Sequence, residues 1–433
     1  MKPIDLSTIN LNMTEDDKKR PLIFFEAHEY ATVHLDEWRK IGISPVCFAD
    51  KDETKHNTEF CGYKVYSVGE ALALYPDALI VITNGNKFIT NDVEYLREIV
   101  DANRIRHPME TYYGLGCPNL GTSCTIHGDN IICCIGKRFT VPGVTTFDSW
   151  DKIFTSYPNF SKSIIQKLAS AETNACSGCK ELYKGFWVTN PEINHLIFDS
   201  GFRDAKCHYK CPHCSHPFIK RVKDGRYDHL IPSEFLKYFW ENHKKLGIKV
   251  NYANFNVSLP IGEPVLLPDL PKLLEFINSV KEINPFFLTT ASIYSENWAS
   301  ILRKDEKARM IVDISAGTVE TYEKCKGVTS LDKVVENMKK YVNIAINSDN
   351  ITIKYIFFDG INDNLADVNG FLQIAKELRC KVEVSNDVYQ ELETTENIRE
   401  LFLYMVGELK KNNINVALNA TQAAAFYDIG EMK

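Results

Sequence analysis

The stretch Cys207-His208-Tyr209-Lys210-Cys211-Pro212-His213-Cys214 decides how this chain is read. It sets three thiols in a C-x3-C-x2-C spacing on a loop, directly after the apolar run His195–Phe198, which reads as a strand. Three thiolates so close in sequence can surround one metal centre. Three, not four, is the informative count, because a [4Fe-4S] cubane held by three cysteines keeps one iron open to another ligand.

Strand and helix signals alternate from this point onward. Strands are expected at His195–Phe198, Lys249–Phe255, Phe286–Thr289, Met310–Ile314, Ile351–Phe358 and Lys381–Val384, with a further one at Asn415–Leu418. Helices are expected between them at Ser233–Leu246, Asp269–Val280, Leu331–Ala345, Asn364–Leu378 and Thr394–Asn412. At least six βα units in about 240 residues predict an α/β fold, a complete or partial (βα)6 TIM-like barrel.

Upstream the texture differs. Gly114, Gly116, Pro118 and Gly121 break any regular pattern. Ser123–Ile126 and Ile131–Ile135 then flank His127-Gly128-Asp129-Asn130, a hairpin signal. Helical stretches at Ser149–Tyr157 and Lys162–Ala171 lead to Cys176-Ser177-Gly178-Cys179. Before this cysteine-rich hairpin segment, Leu22–Phe25, Val46–Ala49 and Ala78–Thr83 read as strands, and Ala31–Lys40 and Val68–Tyr75 as helices. They predict a small parallel sheet buried on both faces. The expected domains are a polar lead-in (1–20), a Rossmann-like sheet (21–108), a cysteine-rich module (109–185) and the barrel (186–433).

The 433 residues include thirteen cysteines, and their clumping matters more than their number. Six lie between 117 and 179 and three between 207 and 214, while Cys47, Cys61, Cys325 and Cys380 are scattered and read as buried small apolar residues. A disulfide scaffold would be short with evenly spread cysteines; clumps in a chain whose Met1–Arg20 has no apolar leader point to metal or cluster ligation in a reducing, cytoplasmic setting. A net charge of -7 argues against nucleic acid as a partner. The longest apolar run, Leu401–Val406, has six residues, far short of the roughly 20 needed for a membrane span.

The triplet and the strand-end motifs beyond it resemble the radical S-adenosylmethionine (radical SAM) superfamily over roughly residues 190–430. The superfamily's aromatic residue before the third cysteine falls at His213. Its Gly-Gly-Glu-like motif after the second strand falls at Ile261-Gly262-Glu263-Pro264, and its Ser- or Asp-containing, ribose-contacting fourth strand fits Ile311-Val312-Asp313-Ile314-Ser315-Ala316-Gly317. The resemblance implies that Cys207, Cys211 and Cys214 hold a 4Fe-4S cluster whose open iron chelates S-adenosylmethionine. It implies that Gly262 and Glu263 receive the amino group, Ser315 and Asp313 the ribose, and Lys354 the carboxylate. Reductive cleavage to a 5'-deoxyadenosyl radical would follow, fed by a flavodoxin- or ferredoxin-type reductant. The competing reading is a zinc site of the three cysteines with His208 or His216.

Residues 112–182 resemble the SPASM/twitch auxiliary-cluster modules of radical SAM enzymes, although such modules normally follow the barrel. The implied ligands of one auxiliary 4Fe-4S cluster are Cys117, Cys133, Cys176 and Cys179, with Cys124 and Cys134 as alternates; a structural zinc knuckle is the rival. Leu22–Asn84 resembles the Rossmann-like domain of nucleotide-sugar acyltransferases, with Asp50 at the end of the second strand where an acid can bond a ribose. Its first turn, Glu26-Ala27-His28-Glu29-Tyr30, has two acids and no glycine, which favours a scaffold or substrate platform over a phosphate site. The expected activity is radical SAM oxidation or modification of a saccharide or glycan precursor. The alternatives are a peptide-modifying radical SAM enzyme and a non-catalytic zinc-binding module. The sequence names no catalytic side chain.

Overall fold

The computed structural model describes residues 5–86, 88–132, 140–179, 182–199, 202–203, 206–212, 214, 228–260, 262–386 and 395–418. The chain forms two compact units. One comprises Met1–Thr125, Asn130–His195 and Asn242–Phe255; the other comprises Ile126–Asp129, Leu196–Glu241 and Asn256–Lys433. No helix among the described residues is long and apolar enough to cross a membrane.

The first unit begins with β1 (Leu22–Phe25), α1 (Glu29–Lys40), β2 (Cys47–Ala49), β3 (Glu59–Phe60), β4 (Tyr63–Tyr66), α2 (Val68–Leu74), β5 (Leu79–Ile82), α3 (Ile89–Leu96) and β6 (Ile105–Arg106). The strands lie in the order β3-β4-β2-β1-β5-β6. β1 is parallel to β2 and β5, β2 to β4, and β5 to β6. Every residue of β1 and β5 is buried, as a parallel strand covered on both faces requires. Phe24, Phe48 and Val81 pack with Tyr30, Ala31, Leu35 and Trp38 of α1. On the other face Ile23, Phe25 and Ile80 pack with Val68 and Ala71 of α2 and Ile89 and Val93 of α3.

The first turn of this sheet is held by its own polar groups. Asp50 is buried and accepts from the Ala27 amide at 2.9 Å and from Lys55 Nζ at 2.8 Å. Glu26 adopts a left-handed φ of 79°, a conformation that costs a non-glycine residue roughly 1–3 kcal/mol. Asp92 of α3 is buried and accepts from Asn84 Nδ2 at 2.5 Å; burial pushes its carboxyl up to about 6. Cys47 is buried as expected, but Cys61 is exposed in a left-handed turn (φ 51°) between β3 and β4. The reading of Cys61 as a core residue is therefore corrected: the two-residue β3 carries the chain into a surface hairpin.

The chain continues through β7 (Thr111–Gly116), β8 (Ser123–His127), whose last two residues belong to the second unit, β9 (Asn130–Ile132), α4 (Trp150–Ala169) and β10 (Tyr183–Val188). The glycines of 114 and 116 do not break the chain, contrary to expectation. β7 pairs antiparallel with β10, Gly114 facing Gly185. Gly116 makes room for Trp187: a Cβ there would come within 2.4 Å of the indole ring, whose Nε1 donates to the Gly114 carbonyl at 3.1 Å. The two helices expected around Pro158 are one. Proline forfeits one amide bond, but Ile153, Phe154, Tyr157, Ile164, Ile165 and Leu168 form a single buried face across it.

The second unit carries β11 (His195–Phe198), α5 (Pro232–Asn242), β12 (Phe255–Leu259), α6 (Leu270–Ser279), β13 (Ile283–Thr289), α7 (Glu296–Leu302), β14 (Arg309–Asp313), α8 (Val319–Lys326), α9 (Leu331–Ile344), β15 (Ile351–Phe357), α10 (Leu365–Leu378), β16 (Lys381–Asn386), α11 (Glu396–Lys411) and β17 (Val416–Leu418). The strands neighbour one another in strict sequence order from β11 to β17, and β13 through β17 pair in parallel. This is an α/β fold consistent with a partial TIM-like barrel. The strand expected at Lys249–Phe255 instead starts at Phe255. Asn251 turns the preceding segment, its Oδ1 accepting from the Ala253 amide at 3.1 Å. The shift matters, because it puts Pro260, Gly262 and Glu263 immediately past the C-terminal end of β12. Gly317 is needed where α10 crosses the end of β14: a Cβ there would lie 1.9 Å from the Asp367 carbonyl oxygen.

Candidate functional site

Four strand ends supply one cavity. The loop after β11 brings Cys207, Tyr209, Cys211 and Cys214; the end of β12 brings Pro260 and Gly262; β13 brings Leu288, Thr289 and the adjoining Thr290; β14 brings Asp313; and α8 brings Lys326. The cavity holds about 210 Å³. C-terminal strand ends are where a βα barrel exposes functional side chains.

The cysteine loop is anchored through Tyr209, which is buried and shares a 2.9 Å hydroxyl contact with Tyr322 of α8. His208 Nε2 lies 2.8 Å from Ser292 Oγ. The Lys210 amide donates to the Lys326 carbonyl at 3.1 Å, and the Glu263 amide donates to the Lys206 carbonyl at 2.8 Å. The thiols thus sit on backbone tied to two neighbouring strand-end loops. Burial pushes the Cys211 thiol up to about 11, with the Lys326 ammonium opposing the rise.

Three sequence-selected residues, Glu263, Ser315 and Lys354, are not among those lining the cavity. The Glu263 carboxylate is buried and accepts from Thr289 Oγ1 at 2.6 Å and from the Thr290 amide and hydroxyl at 2.8 and 2.5 Å. Its role here is to shape the loop that presents Gly262. Ser315, left-handed at φ 49° and wholly buried, donates from Oγ to Asp313 and accepts there from the Ile356 amide at 3.0 Å. Lys354, chosen to meet a carboxylate, pairs with Glu383 at 2.8 Å. His213 lies outside the described residues.

Asp313 does line the cavity. Burial alone would raise its carboxyl, but Lys326 Nζ, 2.6 Å from Oδ2, overrides this and holds it below the usual carboxylate range. Tyr209, Thr289, Thr290 and Lys326 were not legible as site residues. The one available signal was position: the threonines end an apolar strand, and Lys326 precedes a glycine that closes a helix.

Three thiols lining one cavity with Gly262, Thr289 and Thr290 fit a cluster bound by three protein thiolates. Among the described residues, no three His, Cys, Asp or Glu side chains close on one point as ligands of a single ion would.

In the first unit, Cys117, Cys176 and Cys179 gather at one apolar cluster with Tyr112, Leu120, Phe160 and Leu168. The Cys179 amide donates to the Cys176 carbonyl at 2.9 Å, closing the tight CxxC turn. Cys124 is buried within β8, where burial pushes its thiol up to about 12. Cys133 and Cys134 lie outside the described residues.

Residues 205–372, which include the thiol loop and β12 to β15, match the model of the radical SAM superfamily, so the second unit carries a radical SAM superfamily domain. Among curated proteins, the GTP 3',8-cyclase of Clostridium botulinum (strain Okra / Type B1) is 21% identical over 178 residues, 41% of this chain and 52% of that protein. The probable GTP 3',8-cyclase of Archaeoglobus fulgidus is 26% identical over 164 residues, 37% of this chain and 49% of that protein. The chain spans about half the length of the curated relatives it matches. Among solved structures, Streptococcus suis SuiB bound to S-adenosylmethionine aligns with TM-score 0.41 and 14% identity, covering 71% of this chain and 72% of that one. Native anSMEcpe with bound AdoMet aligns with TM-score 0.39 and 16% identity, covering 52% and 63%.

Proposed function

We propose that this chain is a radical SAM enzyme that cleaves S-adenosylmethionine reductively and uses the radical to abstract hydrogen from a substrate. The observation that carries this is the convergence of Cys207, Cys211 and Cys214 on one cavity with Gly262 and Asp313. When bound there, a 4Fe-4S cluster supplies the electron that splits the sulfonium into methionine and a 5'-deoxyadenosyl radical. The chain's own residues do the rest. The three thiols hold the cluster. The loop presenting Gly262, braced by Glu263 on Thr289 and Thr290, offers backbone to the amino group of S-adenosylmethionine. Asp313 offers its carboxylate to the ribose, with Ser315 fixing its orientation from behind.

Cys117, Cys176 and Cys179, completed by Cys133 or Cys134, are proposed to hold one auxiliary 4Fe-4S cluster, which when bound would supply an electron acceptor for net oxidation. Their shared apolar surroundings support this set, of which Cys124, within β8, is not a member. A saccharide or glycan precursor is the proposed substrate, on the analogy of the parallel N-terminal sheet to nucleotide-sugar domains alone. A peptide substrate is the rival.

Anaerobic reconstitution, reduction and incubation with S-adenosylmethionine test the central reading. Production of 5'-deoxyadenosine is expected in the parent and absent from C207A/C211A/C214A. A parent that makes none, or one that binds stoichiometric zinc and no iron, sinks it.

A further inference from the structure

Lys326 is a buried cation that the thiol spacing does not account for. Its side chain is 4% exposed, and it shares the cavity with all three cysteines. Its ammonium lies 2.6 Å from Asp313 Oδ2. Its carbonyl accepts from the Lys210 amide at 3.1 Å and lies 4.0 Å from Cys211 Sγ. Gly327, left-handed at φ 71°, permits this approach: a Cβ there would sit 2.9 Å from Lys210 Cβ. The residue bearing the ammonium is thus locked by backbone against the segment bearing the central thiol.

Burying an ammonium is costly, and such groups persist when a partner compensates them. Asp313 does so, but it also accepts from Ser315. Lys326 and Asp313 line the same cavity as the three cysteines, so a buried positive charge stands beside the thiols. In a cavity of low dielectric its field is poorly screened.

We propose that Lys326 sets the reduction potential of the cluster held by Cys207, Cys211 and Cys214, raising it by stabilising the added negative charge of the reduced form. The proposal rests on the reading that these thiols hold a cluster. Local charge and burial are recognised levers on iron–sulfur potentials. Lys326 is a positioning charge: one electron enters from a low-potential donor, and no bond to the lysine forms or breaks.

The test is a potentiometric titration of the full chain, reconstituted anaerobically and followed by electron paramagnetic resonance without S-adenosylmethionine. The relevant signal is the one missing from C207A/C211A/C214A. A parent that takes up no iron ends the cluster reading and this proposal with it. Given a loaded parent, K326M is expected at lower potential, K326R close to the parent, and K326M/D313N between the parent and K326M. The double variant buries no unpaired charge, so it carries the test if K326M does not load. Equal potentials in the parent and the double variant, or a fall in K326R as large as in K326M, overturn the proposal.

Discussion

Thr289 Oγ1 donates to Glu263 Oε1 at 2.6 Å, which joins the loop after β12 to the end of β13. Thr290 adds its amide and hydroxyl to the other carboxylate oxygen. Glu263 is therefore a bracket for the Gly262 backbone. E263A leaves buried donors unpaired, at about 1–3 kcal/mol each. The expected result is binding of S-adenosylmethionine at least about tenfold weaker, with a lower unfolding temperature. E263Q is expected to fall between E263A and the parent, because an amide supplies one acceptor and misplaces a donor. Calorimetric titration with S-adenosylmethionine checks this; unaltered affinity in E263A removes the bracket.

Gly317 predicts a steric effect independent of any cofactor. A Cβ there would overlap the Asp367 carbonyl at 1.9 Å and the Phe371 amide nitrogen at 2.3 Å, both backbone atoms of α10. Side chains can swing away, but helix backbone cannot. G317A is expected to destabilise the second unit by roughly 3 kcal/mol or more. Thermal unfolding of the chain without cluster reads this directly, and a transition within a degree of the parent contradicts it.

The thiol triplet could be picked out because its spacing is local and a loop preserves it; the structure brings the three thiols to one cavity. The strands β1 and β5 were legible for a similar reason: four consecutive apolar residues leave few alternatives to a doubly covered strand. Lys326, Thr289 and Thr290 were not legible, because they meet the cysteines through strand order and helix placement, at separations of 75 residues and more. Ser315 and Lys354 were selected by motif, yet the structure engages them with Asp313 and Glu383; residue type alone does not show which partner a side chain takes. Local patterns also misled at Pro158 and Gly116. In both places an apolar face or an indole ring decided the outcome over intrinsic preference.

Asp92 predicts a pH dependence in the first unit. Burial raises its carboxyl from 3.8 to about 6, with the Asn84 amide only partly opposing. The folded state thus holds this proton more tightly than the unfolded state. Its contribution to stability is full below about 4, declines as pH rises through 4 to 6, and stays lost above that range. The loss amounts to roughly 2–3 kcal/mol. D92N cannot titrate, so the difference in unfolding free energy between D92N and the parent is expected to move in favour of D92N as pH rises to 7. Denaturant unfolding at several pH values checks it, and a difference independent of pH counts against it.

Cys176 and Cys179 give the last prediction. Both sit with Cys117 at the apolar cluster of Leu120, Ile164 and Leu168, beside Tyr112, whose hydroxyl is held above its usual range by burial and by the neighbouring thiols. Small buried cysteines would serve that cluster as packing alone, and their replacement by alanine would cost little beyond a methyl-sized void. Ligands behave differently: losing two removes the cluster. If both clusters form, the parent is expected to carry about eight irons per chain and C176A/C179A about four. The double variant should keep its S-adenosylmethionine cleavage, since that chemistry lies with Cys207, Cys211 and Cys214, while product formation from substrate falls. An iron count unchanged in C176A/C179A would assign these residues to packing and leave the enzyme with one cluster.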